Sequence, residues 1–363
     1  MFNRIGTVAA LFVLAAGSAR ATLQVNSFDT ALYGRWWHVT SYHVQDDLLA
    51  GPNDNTFLMP EGIAFRNNLL YVSGDAGQYY TDSRLARYQA PPGGILTYNG
   101  FVQITSQWGP DGLTFNDLAG YGSGANDIVT VEKDPAPGAG VVDLTSGNLS
   151  NVLAVSAADA VSAIATGGFA AVDDAGAAAT LVFFDDGFAP TGVTFAVAPG
   201  TRGLAYVSPA FAEFLTGTPV ADGAFVTLTR ANPGNAINVY DLAGNAIGGQ
   251  QDLPVEPRAR IPIGGGFYIT KPAFGGVEGI AVDEVGQVIY IADRDNSMVH
   301  VLTPGTWVGD LDNDGDVDLA DLAILLANYG TTGGATYQDG DLDGDGDVDL
   351  GDLALMLANY GRS

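Results

Sequence analysis

Short runs of β-branched and aromatic residues alternate with turn residues along most of the chain, from about Thr22 to Gly305. Examples are NNLLYVSGD, DIVTVEKDPAPGAG and GQVIYIADRDN, each punctuated by Gly, Pro, Asn or Asp. Such runs predict short strands joined by turns, and no long amphipathic helix lies among them. The pattern therefore predicts a mostly β domain, built as a sandwich, a barrel or a propeller.

Internal repeats favour the propeller. Four segments combine a turn, a glycine and an alternating strand: MPEGIAF, GPDGLTF, APTGVTF and GVEGIAV, with their glycines at 62, 112, 192 and 279. Three of them are followed by a second strand, LLYVSGD, GLAYVSP or VIYIADRD. Strand pairs that recur with a blade's length between them indicate a propeller. An irregular β-sandwich stays open as the alternative, because the repeats are few and unevenly spaced.

Further stretches fit the same architecture. FAAVDDAGAAATLVFFDDG, from Phe169, is a candidate degenerate blade, and RWWHVTSYHV, from Arg35, is a candidate strand that closes the ring beside the last blade. The final repeat, GVEGIAVDEVGQVIYIADRDNSMVHVLTP, resembles an NHL-type propeller repeat. This resemblance, looser over the other three segments, implies an NHL-type or gluconolactonase-like propeller of about six blades.

Composition narrows the classes of partner. With 41 acidic and 14 basic residues the net charge is -27, which repels nucleic acid and favours cations as partners. The chain contains no cysteine, so disulfides, thiol catalysis and cysteine zinc sites are excluded.

The first 21 residues have the pattern of a secretory signal. Arg4 precedes an apolar run from Ile5 to Ala16, and Ala19-Arg20-Ala21 supplies small residues for cleavage after Ala21. The run is shorter than the roughly 20 residues that span a bilayer, and no later apolar run is longer. We therefore expect a secreted or cell-surface protein that is soluble after cleavage and does not insert into the membrane.

The C-terminal segment is a duplication. Residues 310–330 and 341–361 agree at 17 of 21 positions. Each copy opens with aspartates at places 1, 3, 5, 9 and 12, glycine at place 6 and valine at place 8. These are the places at which a twelve-residue EF-hand loop surrounds a calcium ion.

The spacing assigns twelve aspartates to two calcium ions. We expect direct coordination from Asp310, Asp312, Asp314 and Asp321 in the first loop and from Asp341, Asp343, Asp345 and Asp352 in the second. Asp316 and Asp347 would bind through their main chain, and Asp318 and Asp349 directly or through water. Two carboxylates about 4 Å apart repel by about 1 to 4 kcal/mol, so a central dication would stabilise each loop.

A predicted helix follows each loop, LADLAILLANYG and LGDLALMLANYG, ending at Gly330 and Gly361. Apolar residues recur at spacings of three and four: Leu319, Leu322, Leu326 and Tyr329, and then Leu350, Leu353, Leu357 and Tyr360. Neither unit is large enough to bury such a stripe alone. We therefore expect the two units to bury their stripes against each other.

No helix precedes either loop, unlike in an ordinary EF-hand. A tandem pair of calcium loops, each with one helix, resembles the type I dockerin module. The resemblance implies a docking module that binds a cohesin-type domain through its helix faces, in either of two related orientations. Dockerins often have polar residues at places 10 and 11, where this chain has Leu319-Ala320 and Leu350-Gly351. Partner specificity therefore stays open, as does an unrelated pair of EF-hand-like loops.

The large domain offers weaker candidate chemistry. Glu61, Asp111 and Glu278 hold the same place in three repeats, and either line a turn or bind a metal as in gluconolactonase-like proteins. His38 and His43 would face opposite sides of a strand, which makes a poor zinc pair. The third histidine is His300. Several aromatic side chains could stack on sugars or fill the core: Trp36, Trp37, Trp108, Tyr79 and Tyr80.

These patterns predict a signal peptide (residues 1–21), an NHL-like propeller (22–306) and a dockerin-like domain with two calcium loops (307–363). The predicted function is a secreted accessory protein tethered to a cohesin-type partner, with the propeller as a platform for a ligand or an extracellular polysaccharide. The alternative is an enzyme that degrades polysaccharide or hydrolyses a lactone in the propeller channel. A third possibility is that the calcium loops serve stability alone. No catalytic residue is assigned.

Overall fold

The structure is a computed structural model that describes residues 20–44, 59–75, 84–90, 96–104, 111–115, 127–132, 138–153, 158–173, 179–230, 234–264, 267–312, 314–343 and 345–362. Most of the predicted signal segment, residues 1–19, lies outside these ranges. Its last two residues form strand β1 (Arg20–Ala21), which pairs with the edge of the first blade.

Antiparallel sheets follow one another along the chain as propeller blades. Blade 1 contains β4 (Met59–Arg66), β5 (Leu69–Asp75), β6 (Arg84–Gln89) and β7 (Thr97–Gln103), with β1 outside β7. Blade 2 contains β8 (Gly112–Phe115), β9 (Asp127–Glu132), β10 (Gly138–Asp143) and β11 (Leu149–Leu153). Blade 3 contains β12 (Ala158–Ala163), β13 (Phe169–Asp173), β14 (Thr180–Phe184) and β15 (Pro190–Ala196).

Blade 4 contains β16 (Thr201–Val207), β17 (Ala224–Thr229), β18 (Ala236–Asp241) and β19 (Ala246–Asp252). Helix α1 (Pro209–Thr216) lies between its first two strands, with Ser208 as N-cap and Gly217 in the left-handed conformation after its end. A separate hairpin, β20 (Ala259–Gly264) and β21 (Phe267–Lys271), precedes the last blade.

Blade 5 joins the two ends of the propeller. The chain supplies β22 (Val277–Asp283), β23 (Val288–Asp293) and β24 (Met298–Trp307), and the N-terminal strands β3 (Arg35–His43) and β2 (Leu23–Leu32) complete the sheet outside β24. Thr40 of β3 pairs with Val301 of β24 in an antiparallel register. The predicted closing role of RWWHVTSYHV is confirmed.

The innermost strands β4, β8, β12, β16 and β22 contact one another in a closed ring. A separate hydrophobic cluster lies between each pair of neighbouring blades, so every blade packs on both faces against its neighbours. The described chain thus forms a five-bladed propeller rather than the expected six blades. The sequence count was too high because the long gap before Gly279 holds helix α1 and the hairpin β20–β21 in place of a further blade. In addition, APTGVTF is not an innermost strand. It forms the exposed outer strand β15, and GLAYVSP belongs to β16, which begins the next blade.

Two short helices and their preceding loops follow β24. The helices are α2 (Leu319–Asn328) and α3 (Leu350–Asn359), and a 3₁₀ turn (Tyr337–Asp339) lies between them. Both lengths agree with the predicted helices, and Gly330 and Gly361 take positive φ angles of 89° and 83° just beyond them. No helix in the described part of the chain is long and apolar enough to cross a membrane.

Candidate functional site

Three carboxylates converge in each acidic loop. One oxygen from each of Asp310, Asp312 and Asp321 lies within 4.8 Å of the others, and Asp341, Asp343 and Asp352 repeat the arrangement in the second loop. Asp316, Asp318 and Asp321 form an overlapping group. The structure therefore brings together places 1, 3 and 12 in both copies. These buried acidic clusters could hold metal ions.

The carboxylate at place 12 organises each loop through backbone hydrogen bonds. Asp321 is fully buried and accepts from Leu311 N at 2.6 Å and from Asp318 N at 2.8 Å. Asp352 makes the equivalent bonds with Leu342 N and Asp349 N, both at 2.7 Å. The loops are thus held in shape by backbone N–H donors as well as by any bound cation.

The aspartates at places 9 and 12 also begin the helices. Asp318 caps α2 by accepting from Ala320 N at 2.6 Å, while Asp321 accepts from the Asp318 backbone, which completes a capping box. Asp349 and Asp352 do the same for α3. This second role was not predicted from the sequence, although an acid followed three residues later by another acid before an apolar run resembles the capping-box pattern.

Crowding of negative charge perturbs the loop carboxyls. Desolvation, followed by repulsion from Asp314, raises the pKa of Asp312 and of Asp316. A hydrogen bond shared with Asp345 raises the pKa of Asp347 to about 6, with desolvation and repulsion as further causes. A bound cation would oppose this protonation.

The donor set fits calcium. All the converging ligand atoms are carboxylate oxygens, which are the hard ligands that calcium takes. Asp316 Oδ1 is also buried with no hydrogen-bond partner in the described part of the chain. Such an oxygen is costly to bury unless something positive lies beside it.

The two loop-and-helix units are joined at their valines. Val317, at place 8 of the first loop, donates to Arg362 O at 2.9 Å and accepts from Gly361 N at 2.8 Å. Val348 in the second loop pairs in the same way with the residues that follow α2, Gly330 and Thr331. Each loop therefore binds the end of the other unit's helix, which gives the pair a two-fold arrangement.

The predicted buried stripes are largely exposed, so the expected stripe-to-stripe packing is wrong. Only Leu322 and Leu353 of these stripes are partly buried; the remaining six residues are exposed: Leu319 (67%), Leu326 (53%) and Tyr329 (48%), and Leu350 (68%), Leu357 (55%) and Tyr360 (47%). The core instead uses Val317 and Val348 from the loops, and Leu325 and Met356 from the helices. We call the two exposed sets the α2 face and the α3 face.

The C-terminal module packs directly on blade 5. Val308 N donates to Gly34 O at 2.8 Å, and the Asn359 side chain fills the space where a Cβ of Gly34 would lie. The Arg35 guanidinium lies 3.8 Å from the Trp307 ring centroid, and that of Arg362 lies 4.8 Å from it. The last strand of the propeller is therefore part of the module's core.

The axial channel narrows to a neck at the innermost strands. Its lining holds small residues from all five blades, Gly62, Gly112, Ala160, Gly203 and Gly279, each followed by a buried apolar residue. A Cβ on Gly279 would lie only 2.2 Å from Glu61 O, so glycine allows the strands to approach. The space at the neck is about 10 Å³, too little for a ligand.

Charged residues precede the small residues at the neck. Glu61, Asp111 and Glu278 hold equivalent places as predicted, and Asp159 and Arg202 complete the set of five. The motifs DAV and RGL have the same order of charged, small and apolar residues as EGI and DGL, and this order is the sequence signal for Asp159 and Arg202 at the neck.

These charges form ion pairs between blades. Arg202 lies 2.6 Å from Asp159 and 4.0 Å from Glu278, Arg230 also contacts Glu278, and Arg294 lies 2.9 Å from Glu61. Burial still raises the pKa of Glu278 despite these arginines. In the described part of the channel, the metal-binding reading of Glu61, Asp111 and Glu278 is not supported, because arginines rather than a shared centre face Glu61 and Glu278.

Two serine–histidine–aspartate sets lie on blade 5. His38 is exposed, with Ser27 Oγ 2.8 Å from Nε2 and Asp29 Oδ1 2.8 Å from Nδ1. Ser27 lies on an open strand, where its N–H donates to Asn26 Oδ1, so it offers no backbone donor for an oxyanion. His300 lies fully buried between Ser41 and Asp293, where no substrate can reach it.

The described aromatic candidates fill packed space. Trp37 is fully buried, and Trp36 contacts Tyr337 of the module edge to face at 5.8 Å. Trp108, Tyr79 and Tyr80 lie outside the described residues.

Compared with families of known proteins and with curated individual proteins, the sequence matches none. Several solved structures are similar to this chain at 12% sequence identity. A gluconolactonase from Xanthomonas campestris has a TM-score of 0.42 and covers 81% of this chain and 99% of its own. An auxiliary nutrient binding protein from Bacteroides thetaiotaomicron has a TM-score of 0.41, with 78% and 69% covered. A glutaminyl cyclase from Myxococcus xanthus has a TM-score of 0.42, with 79% and 97% covered. With TM-scores below 0.5, these likenesses assign neither a family nor an activity to this chain.

Proposed function

We propose that this chain is an exported binding protein whose C-terminal module, loaded with two calcium ions, docks on a cohesin-type domain of a partner protein. The propeller would present a surface for a ligand or a glycan. The observation that supports this most strongly is the duplicated loop, in which the carboxylates of places 1, 3 and 12 lie within 4.8 Å of one another in both copies.

The proposed role of each aspartate in calcium coordination follows from its place in the loop. Asp310, Asp312, Asp314 and Asp321 would coordinate the first ion directly, with the Asp316 main chain and Asp318 in lesser roles. The second loop repeats this set 31 residues later. Bound calcium supplies positive charge at the centre of the carboxylates, and its attraction for each of them then outweighs their mutual repulsion.

The helix faces are the proposed docking surface. The α2 and α3 faces have nearly equal exposure, and together they leave six large apolar side chains in water. Exposed apolar residues grouped in this way are typical of protein interaction sites. The acidic module around them favours a partner with a basic rim.

Calorimetry of the purified chain tests the metal assignment. We expect two calcium ions per chain, and loss of both in the double variant D310A/D341A. Glu213→Ala, which removes an exposed acid on α1, is the matched control and should keep both sites. Unchanged calcium uptake in the double variant would refute the loops as the site.

Capture of purified cohesin-type domains, with and without chelator, tests docking. If the chain binds none of these domains, the calcium loops serve stability alone.

A further inference from the structure

We propose that the propeller binds a small organic cation with an apolar body, such as an arylalkylammonium ion, in the cavity beyond the neck. This cavity, the lower cavity, lies where the innermost strands end, on the opposite side of the neck from the ion pairs. The inference deepens the proposed function by naming a ligand class for the propeller, and it does not depend on the docking module.

The lower cavity has the size of a ligand site. Its volume is about 630 Å³, and it is lined by residues 63–65, 113–115, 162–164, 204–206 and 280–282 from all five blades. Small-molecule sites usually have volumes of about 300 to 1,000 Å³. A second cavity of about 440 Å³ shares Ile164, Thr166, Gly167 and Asp186 with it, so the space continues over blade 3.

The charged residues in the described lining of both cavities are all acidic. Asp186 and Glu284 line the lower cavity, and Asp185 joins Asp186 in the second. The described lining of both cavities contains no Lys, Arg or His. Arg66 packs 5.3 Å from the Phe115 ring centroid but is not part of the lining. An anionic ligand would therefore meet net repulsion from the charged residues of the described lining.

Both carboxylates of the lower cavity are held in place through one oxygen. Glu284 Oε1 accepts from Ser208 N at 2.7 Å, and Asp186 Oδ1 accepts from Gly168 N at 2.5 Å. In the described part of the chain, neither Glu284 Oε2 nor Asp186 Oδ2 takes part in a further hydrogen bond or ion pair. These oxygens are available to an ammonium group.

The hydroxyl groups of the lining are mostly used by the protein. Ser162 Oγ accepts from Tyr206 N at 2.7 Å and donates to Ala163 O at 3.2 Å. The Tyr206 hydroxyl donates to Asp222 O at 2.9 Å, and Thr114 Oγ1 accepts from Ala163 N at 3.0 Å. A sugar would find few donors here. The remaining wall, with Phe65 and Phe115, suits an apolar body instead.

Titration with three matched probes tests the inference: 2-phenylethylammonium, 2-phenylethanol and 3-phenylpropanoate. The full chain is kept in calcium, so that its loops do not compete for the cation. We expect the ammonium to bind, the alcohol to bind at least fivefold more weakly, and the carboxylate not to bind. Equal binding of all three probes, or binding of none, would overturn the proposal.

Substitutions of lining residues test whether the probes bind in the lower cavity. Glu284→Gln and Asp186→Asn should each weaken the ammonium about threefold to fivefold, and the double variant more than tenfold, with the alcohol unaffected. Ala165→Trp, at an exposed lining position, should weaken both probes. Glu213→Gln should change nothing. If the double variant binds the ammonium as the parent does, the cation lies elsewhere and the proposal fails. The variant D310A/D341A should bind the ammonium as the parent does. Loss of docking in this variant can therefore be distinguished from loss of ammonium binding.

Discussion

Ser41 Oγ lies 2.8 Å from Nδ1 of His300, across the join between the first and last parts of the propeller. Both residues are fully buried, Ser41 on the N-terminal strand β3 and His300 on β24. Asp293 Oδ2 accepts from Nε2 of the same ring at 3.1 Å, which leaves Nδ1 to accept the Ser41 hydroxyl. The three side chains thus connect the N-terminal strand β3 to β23 and β24 of the last blade.

Ser41→Ala should destabilise the propeller by about 1 to 3 kcal/mol, because it leaves the buried Nδ1 of His300 without a partner. Urea unfolding measures this loss. Ser27→Ala is the matched control, since it removes the same bond from the exposed His38, and it should stay within about 0.5 kcal/mol of the parent. Equal effects of the two substitutions would contradict the connecting role.

The stabilising effect of Asp293 should depend on pH. Burial opposes its charge, but hydrogen bonds from His300 and from the N–H groups of Gly275 and Gly276 outweigh burial, so its pKa is lowered from the ordinary value of 3.8. A lowered pKa stabilises the fold above pH 3.8, and this contribution disappears as pH falls through the lower folded value. The difference in unfolding free energy between the parent and Asp293→Asn should therefore be largest near neutral pH and shrink below about pH 4. A constant difference would exclude this origin.

Gly279→Ala should destabilise the fold by about 3 kcal/mol, since the added methyl group would lie 2.2 Å from the backbone oxygen of Glu61 on the neighbouring blade. Gly187→Ala is the control, because there the nearest atom is an exposed side-chain oxygen of Asp185 at 3.3 Å. Thermal unfolding of both variants compares the neck with a surface turn. A tolerated Gly279→Ala would mean that the innermost strands approach less closely at the neck.

Chelation of calcium should lower the stability of the propeller as well as that of the module. Val317 of the first loop holds the Arg362 backbone, and Arg362 covers Trp307 at the end of β24. A hundredfold excess of ligand over Kd stabilises a folded chain by about 2.7 kcal/mol per site. Hydrogen exchange of β3 and β24 with and without calcium measures the coupling.

Arg362→Ala should reduce this calcium effect on β24 while leaving calcium uptake unchanged. Arg258→Ala removes an exposed arginine from a surface ion pair and serves as the control. Protection of β24 that is equal with and without calcium in the parent would show that the two parts unfold independently.

The two helix faces should act as alternatives in docking. Leu326→Asp and Leu357→Asp each add a charge to one exposed face, at side chains 53% and 55% exposed, so each should lower the stability of folding by no more than about 2 kcal/mol. Once a cohesin-type partner has been found, each single variant should keep binding through the intact face. The double variant should lose it. Full binding by the double variant would exclude these faces as the docking surface.

The local patterns of the sequence were sufficient to predict most of the secondary-structure elements. Strand runs, turn residues and the 31-residue duplication depend on neighbours along the chain, so they predicted most strands, the closing role of β3, both C-terminal helices and the aspartates that converge in the loops. The same local rules could not count blades. APTGVTF has the order of an innermost strand, yet β15 lies at an outer edge, because strand order depends on which backbone edges pair in three dimensions.

Burial on the helices was likewise decided by the tertiary structure. Leu326 and Leu357 have the spacing of a buried stripe, but the valines at place 8 and Trp307 of the propeller fill the core from another direction and leave those leucines in water. The channel shows the same limit: the sequence placed Glu61 and Glu278 at equivalent positions, whereas only the folded ring brought Arg294 and Arg230 beside them. Sequence determined which residues carry charge and which form strands and helices. The pairing of those charges and the face that stays exposed depended on contacts between residues far apart in the chain.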